Sequence, residues 1–383
     1  MVAMLVTVFF AAACSGAGLA SVPAASAPVV PVPTPLATRA PSPTPTASAL
    51  AGPLTWQAVG GDPFARAMWA VVPFEGGFVA LGDEQERMVE WRSTDGTTWR
   101  RVDPTGDAVQ GKPPRQMVAG GPGLVVIDWV AVDTAVPHGV GYVMTSSDGE
   151  QWTRARAAAF EANEVPDLVT NGRLLLAYGY RTVDGRLTRI TWTSQDALTW
   201  SEARIDLPVP FPIVGVDGGF VAFDPGGTSD LRTWTSVDGR AWTETAAPPA
   251  PSGAWMNALS AAPGGLAAVT FTDEPGTLLT WRSVDRARSW SGFPAPMLGT
   301  SSDPADVLLA ETPAGLFMLA SASAGEPRAW RSVDGISWIE ETGLSDLGDT
   351  RLELVAQAGS RIVVFGRSAE TFDWSAWVAE AGS

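Results

Sequence analysis

The sequence predicts an all-β protein, a seven-bladed β-propeller of four-stranded antiparallel blades over 53–383. Three observations predict it. First, one phrase recurs six times: "WRSTDGTTW" at Trp91, "MTSSDGEQW" at Met144, "WTSQDALTW" at Trp192, "WTSVDGRAW" at Trp234, "WRSVDRARSW" at Trp281 and "WRSVDGISW" at Trp330. Its aspartates, Asp95, Asp148, Asp196, Asp238, Asp285 and Asp334, stand 53, 48, 42, 47 and 49 residues apart, the period of a solenoid or propeller unit. Second, every unit has the same interior, built from short strand-like runs between Gly and Asp turns, with no helical pattern. Third, the ends complement one another. "SAWVAEAGS" aligns Trp377 with Trp330 but stops before an outer strand, and "LTWQAV" around Trp56 matches the outer strand "TTWRRV" around Trp99. The amino-terminal strand therefore completes the seventh blade and closes the ring, which leaves no free sheet edge between first and last blades.

In chain order, the first segment is "MVAMLVTVFFAAAC". Its apolar run of about a dozen residues is shorter than the roughly 20 a membrane-spanning helix needs and suits the core of an export signal. Residues 1–20 are read as that signal. "AAAC", ending at the chain's single cysteine, Cys14, resembles the lipidation site of a bacterial lipoprotein, although Ala11 stands where that motif usually has Leu. The expectation is an exported protein anchored to a membrane through lipid on Cys14 and displayed outside the cytoplasm. Residues 21–52, rich in Pro, Ala, Ser and Thr, are too poor in buriable surface to fold and are biased to extended polyproline II. They read as a disordered tether, with a reach on the order of 90 Å.

Each blade then repeats one order. A strand ends in a Gly-rich turn, an apolar run follows ("FVALG", "LVVID", "LLLAYG", "FVAFD", "LAAVT", "LFMLA"), and the "W-x-S" strand leads through the Asp turn to a short strand carrying a second Trp. In the turn, Asp accepts from backbone N–H groups, Gly supplies positive φ, and Ser bonds back to the Asp or the turn. Thirteen of the seventeen Trp fall in the repeat register, which marks them as structural. The boxes at Asp196 and Asp285 vary, with Ala197 replacing Gly in one and an extra residue in the other.

These units resemble the Asp-box, or bacterial neuraminidase repeat, a motif written Ser-x-Asp-x-Gly-x-Thr-Trp. Ser283 to Trp290 keeps that spacing, and the other five boxes are one residue shorter. The resemblance covers nearly all of the chain beyond the tether. It implies a propeller whose boxes are structural hairpins on the face away from the ligand. The family includes sialidases, other glycosidases, sorting receptors and non-enzymatic assembly factors. The sialidase pattern is not met: no Arg-Ile-Pro occurs, and no Tyr follows Tyr180, whereas the family's nucleophile lies late in the propeller.

Function is therefore expected on the face opposite the boxes, in the longer and more variable loops. Counting back from each Gly-rich turn places Trp69, Arg115, Glu164, Phe211, Asn257, Val307 and Arg351 around the mouth of the central channel. Arg351, Trp69 and Arg115 come from adjacent blades across the closure, where two Arg and a Trp suit an anionic sugar or a carboxylate. Trp129 and Trp255, outside the repeat register, are further stacking candidates. Carboxylate pairs Asp303 with Asp306, Glu340 with Glu341, and Asp346 with Asp349 are candidates for acid–base work. With His138 the single histidine and no cysteine beyond Cys14, neither a metal nor another cofactor is expected. A net charge of −16, with Lys112 the single lysine, argues against nucleic acid. The expected role is a monomeric, non-catalytic surface module binding a polysaccharide or an envelope protein. A sialidase-like glycoside hydrolase and an assembly factor docking a protein partner are the alternatives.

Overall fold

The computed structural model describes residues 54–380, apart from 62–63, 65–66, 86, 107–115, 134–137, 162–163, 184–185, 206, 208–211, 225–229, 263–264, 273–277, 295–303, 313–314, 323–326, 336, 342–349 and 369. The signal, Cys14 and the tether lie outside the described residues.

The described residues form seven antiparallel sheets, one per predicted blade. The innermost strands are Ala67–Phe74, Met117–Gly120, Glu164–Thr170, Ile213–Val216, Trp255–Ala262, Pro304–Thr312 and Thr350–Ala358. Each contacts the innermost strands of both neighbours, so the ring is closed. Closure occurs where the sequence places it. Thr55–Ala58 pairs antiparallel with Trp374–Glu380, with Thr55 opposite Glu380 and Ala58 opposite Trp377. Leu54, Trp377, Ile362, Leu319 and Ala329 then pack in one cluster between blades six and seven, with Trp56 against it. Glu341, at the end of blade six's outer strand, fixes the entering chain: it accepts the Leu54 N–H at 2.7 Å and pairs with Arg331. Blades one and two add a fifth, two-residue strand that pairs in parallel with the outer strand, Gly60–Gly61 and Thr105–Gly106.

The boxes are hairpin staples. In the fourth, Ser236 Oγ donates to Asp238 Oδ1 at 3.1 Å and accepts the Gly239 N–H at 2.8 Å. Asp238 Oδ1 also accepts the N–H groups of Arg240 and Ala241 at 2.9 and 3.0 Å. Such bonds stabilise the ionised carboxylate. The Thr97 hydroxyl and the Thr97 and Thr98 N–H groups hold Asp95 down to about 2. The Thr199 and Leu198 N–H groups do the same for Asp196, also to about 2. The box tryptophans Trp99, Trp152 and Trp242 return an indole N–H to the box glycine carbonyl at 3.0–3.3 Å.

The staples also tie blade to blade. Gly239 has φ 71, and a Cβ there would lie 2.1 Å from Leu176 Cδ1 of blade three, so glycine is required. Ala197 takes the same place in blade three's box at φ 61. Blade two carries the shorter Val125 at Leu176's register position, in the same cluster as Ala197, which makes room for the methyl. The Thr191 hydroxyl donates across the seam to the Gly239 carbonyl at 2.8 Å, and Thr280 does so to Gly335 at 3.4 Å. In blade one this register position is Glu90. It is fully buried and accepts the Trp152 indole N–H of blade two at 3.2 Å. Burial pushes its carboxyl up to about 8, against the opposing pull of the Trp152 hydrogen bond and of Arg92 at 3.8 Å.

One short 3-10 turn departs from the all-strand expectation. Ala158–Phe160 buries Phe160 between blades, its ring 5.4 Å from Trp192. Gly141 makes this possible, because a Cβ there would meet the Phe160 Cβ at 2.3 Å.

Candidate functional site

The Gly-rich turns and the boxes share one face. A Cβ on Gly77, Gly123, Gly219, Gly265 or Gly315, where each second strand begins, would lie 2.1–2.4 Å from the carbonyl oxygen of the same blade's box serine. The innermost strands begin at the opposite face, and there the structure opens a cavity of about 700 Å³. Its walls come from blades seven, one, two, three and four: Leu354 and Val355, Trp69 to Val71, Gln116 and Met117, Asp167 to Val169 with Tyr178, and Pro212 with Ile213.

Strand geometry aims these side chains. The register of blade one slips between Met68 and Ala70, which makes Trp69 the extra residue of a β-bulge. Asn257 and Glu353 are the bulged residues of blades five and seven. Bulges break the alternation of a strand and re-aim the residue they insert. By pairing register the position of Trp69 recurs at Pro166 in blade three and Glu353 in blade seven, rather than at Glu164 and Arg351. Counting back seven residues from each turn slides the register, because the count starts at Gly76, the second turn residue, in blade one but at Ala358, the last strand residue before the turn, in blade seven. Blade three's turn, from Thr170 to Leu175, is also two residues longer than blade one's, from Phe74 to Gly77.

One register position further in, Gln116 and Asp167 meet. Gln116 Nε2 donates to Asp167 Oδ1, and Gln116 Oε1 accepts the Leu168 N–H at 2.7 Å. The Tyr178 hydroxyl also donates to Asp167 and accepts from the backbone of Ile213. Desolvation raises the Asp167 carboxyl above the ordinary carboxylate range, opposed by the bonds from Gln116 and Tyr178. Desolvation first, and then the Asp167 charge, raise Tyr178, so its phenol stays protonated. A carboxylate has about four acceptor positions and an amide nitrogen two donors. The cluster is thus held rigid by internal bonds while Asp167 keeps acceptor capacity and Gln116 one N–H. Trp69 stands in the same wall, its buried indole N–H without a partner.

The other expected residues are placed as follows. Arg115 lies outside the described residues, immediately before Gln116. Arg351 is exposed at the start of blade seven's innermost strand, outside the cavity lining. Trp255 opens blade five's innermost strand and is 50% exposed on the mouth face, also outside the lining. Trp129 lies on the second strand of blade two, paired with Gly141. Of the carboxylate pairs, Glu340 forms a bidentate pair with Arg328, and Glu341 is bound to Arg331 and Leu54. Both are therefore structural. Asp303, Asp346 and Asp349 lie outside the described residues. Among the described residues no group of three or more His, Cys, Asp or Glu side chains is placed to hold a metal ion.

Sequence reasoning missed Gln116, Asp167 and Tyr178. Their signal is a register position, which becomes visible only once the bulges are known.

No family model matches the chain, and no curated protein matches it. Solved structures do. The β-propeller domain of Cps50 (Swd1) from Myceliophteria thermophila superposes with a TM-score of 0.52 at 12% identity, over 85% of this chain and 99% of that one. An α-L-arabinofuranosidase from Fusarium graminearum matches at 12% identity and a TM-score of 0.42, over 86% and 98%. A Trypanosoma rangeli sialidase matches at 13% and 0.41, over 85% of this chain and 59% of that one. At these identities the likeness is one of fold, the seven-bladed propeller.

Proposed function

We propose that this chain is an exported, lipid-anchored propeller that binds a glycan in the mouth cavity without turning it over. The observation that carries the reading is the wall in which the Trp69 indole shares a cavity with the rigid Gln116–Asp167–Tyr178 cluster. Sugar rings present apolar C–H faces that stack on aromatic rings and hydroxyls that pair with carboxylate and amide groups. Asp167 is the charged side chain among the described lining residues, which favours a neutral, hydroxyl-rich ring over an acidic sugar.

A second reading, glycoside hydrolysis, is favoured by the raised Asp167 carboxyl, which suits a general acid. One experiment separates the two. The purified protein is exposed to an array of bacterial and host glycans, sialosides included, with retention and product release scored together. The expected result is retention of a neutral glycan without release, weakened about fivefold to tenfold in Trp69→Leu, which keeps apolar bulk but loses the aromatic face. Release of sugar would establish the hydrolase instead. Silence on both scores would end the glycan reading and leave a protein partner on the mouth face.

A further inference from the structure

The loop between the second and third strands of blade seven carries a residue whose conformation packing does not explain. Phe372 is 59% exposed, yet its backbone sits at φ 63, in the left-handed region that bulky side chains avoid. The loop is tightly bonded. The Phe372 N–H donates to the Ser368 carbonyl at 3.1 Å, and the Ser368 N–H donates to the Asp373 carbonyl at 3.0 Å. Ser368 Oγ accepts the N–H groups of Glu370 and Thr371, each at 3.2 Å. Glycine is the usual residue where a turn closes in this conformation. Here a phenyl ring is held out into solvent at a backbone cost that burial does not offset.

The ring is also propped in place. The Arg367 guanidinium lies 5.4 Å from its centroid and pairs with Glu353 at 2.9 Å. Glu353 is the bulged residue beside Leu354, which lines the mouth cavity. Contact by contact, Phe372 is thus joined through Arg367 and Glu353 to Leu354 in the cavity wall, on the face away from the boxes.

We infer that Phe372 is the outer stacking platform of an extended site whose inner end is the mouth cavity, and that the ligand is a neutral oligosaccharide of several rings. This rests on the glycan reading of the cavity. Strain kept at an exposed position points to a contact made outside the folded chain. An exposed aromatic face in line with a saccharide pocket fits the apolar face of a second or third sugar ring.

The test titrates the wild-type protein and Phe372→Gly with glucose, N-acetylglucosamine and arabinose and with a linear tetramer of each, followed by thermal unfolding. In the wild type, the tetramer of the preferred sugar is expected to bind about fivefold to tenfold tighter than its monomer. Phe372→Gly is expected to lose that gain and keep monomer binding. It should melt close to wild type, because relief of strain at φ 63 offsets the chain entropy that glycine adds to the unfolded state. Wild-type binding that ignores chain length, or a length gain that survives the substitution, overturns the inference while the cavity reading stands. A lower melting temperature in Phe372→Gly also overturns it, by making the ring a structural prop. Failure of the wild type to bind any of these sugars removes the cavity reading and this inference together.

Discussion

Glu90→Gln is expected to leave stability close to wild type at about pH 4 and to raise it above wild type, by up to roughly 5 kcal/mol, at about pH 9. Glu90 is buried in the seam between blades one and two, and burial pushes its carboxyl from the ordinary 4.5 up to about 8. Between those two values the folded state holds a proton that the unfolded chain has released. Stability therefore falls as pH rises through this window and is flat beyond it. The groups facing Glu90 are Arg92 on its own strand and Asp148 and Glu150 of blade two's box. The last two repel its charge. Glutamine keeps an acceptor for the Trp152 indole and supplies a permanent donor, the role that the Thr191 hydroxyl plays toward Gly239 two seams on. The box aspartates titrate in the opposite sense. Asp95 and Asp196, held down to about 2, contribute stability that is present above about pH 4 and lost as pH falls toward 2. Urea unfolding from about pH 2 to 9 checks both limbs. A wild-type to Glu90→Gln difference that does not change with pH would show that Glu90 titrates alike in the folded and the unfolded chain, without the upward shift from burial.

The second large effect is expected at the ring closure, where Glu341→Ala should cost about 3–5 kcal/mol. Glu341 is 5% exposed, is ion-paired to Arg331, and accepts the Leu54 N–H at 2.7 Å. Its loss takes the Glu341 carboxylate from a largely buried guanidinium and the acceptor from the Leu54 N–H, where the amino-terminal strand docks. Glu341→Gln keeps the acceptor for Leu54 and removes only the charge, so its cost should fall between wild type and alanine. Hydrogen exchange should then accelerate first in Thr55–Ala58 and its partner Trp374–Glu380. Equal exchange in wild type and Glu341→Ala would mean that apolar packing around Trp377 alone holds the closure.

Why the ring was legible in the sequence, and the mouth was not, follows from the physics of each. A box is a local object: Ser236, Asp238 and Gly239 bond within a few residues, so their spacing is written directly in the chain. The closure was legible because Trp56 and Trp377 each carry half of a repeated pattern. The mouth depends on where each innermost strand bulges and on how long each turn runs. A one-residue slip between Met68 and Ala70 decides where the Trp69 side chain goes, and no local residue pattern announces it. Asp167 and Gln116 stand 51 positions apart and meet only across a blade seam. The seam residue Glu90 illustrates the same limit. It reads as an ordinary strand-face acid until the neighbouring box covers it.

In the proposed function the boxes hold the ring while the opposite face binds the glycan. Asp238→Ala is the test, because Asp238 accepts three hydrogen bonds in the fourth box and is not among the cavity-lining residues. The measurement pairs the urea midpoint of the variant with its affinity for the glycan retained by the wild type, referred to the folded fraction. The predicted result is a loss of about 1–3 kcal/mol in stability with affinity unchanged. Loss of binding at unchanged stability would contradict the claim and move the functional site to the boxes.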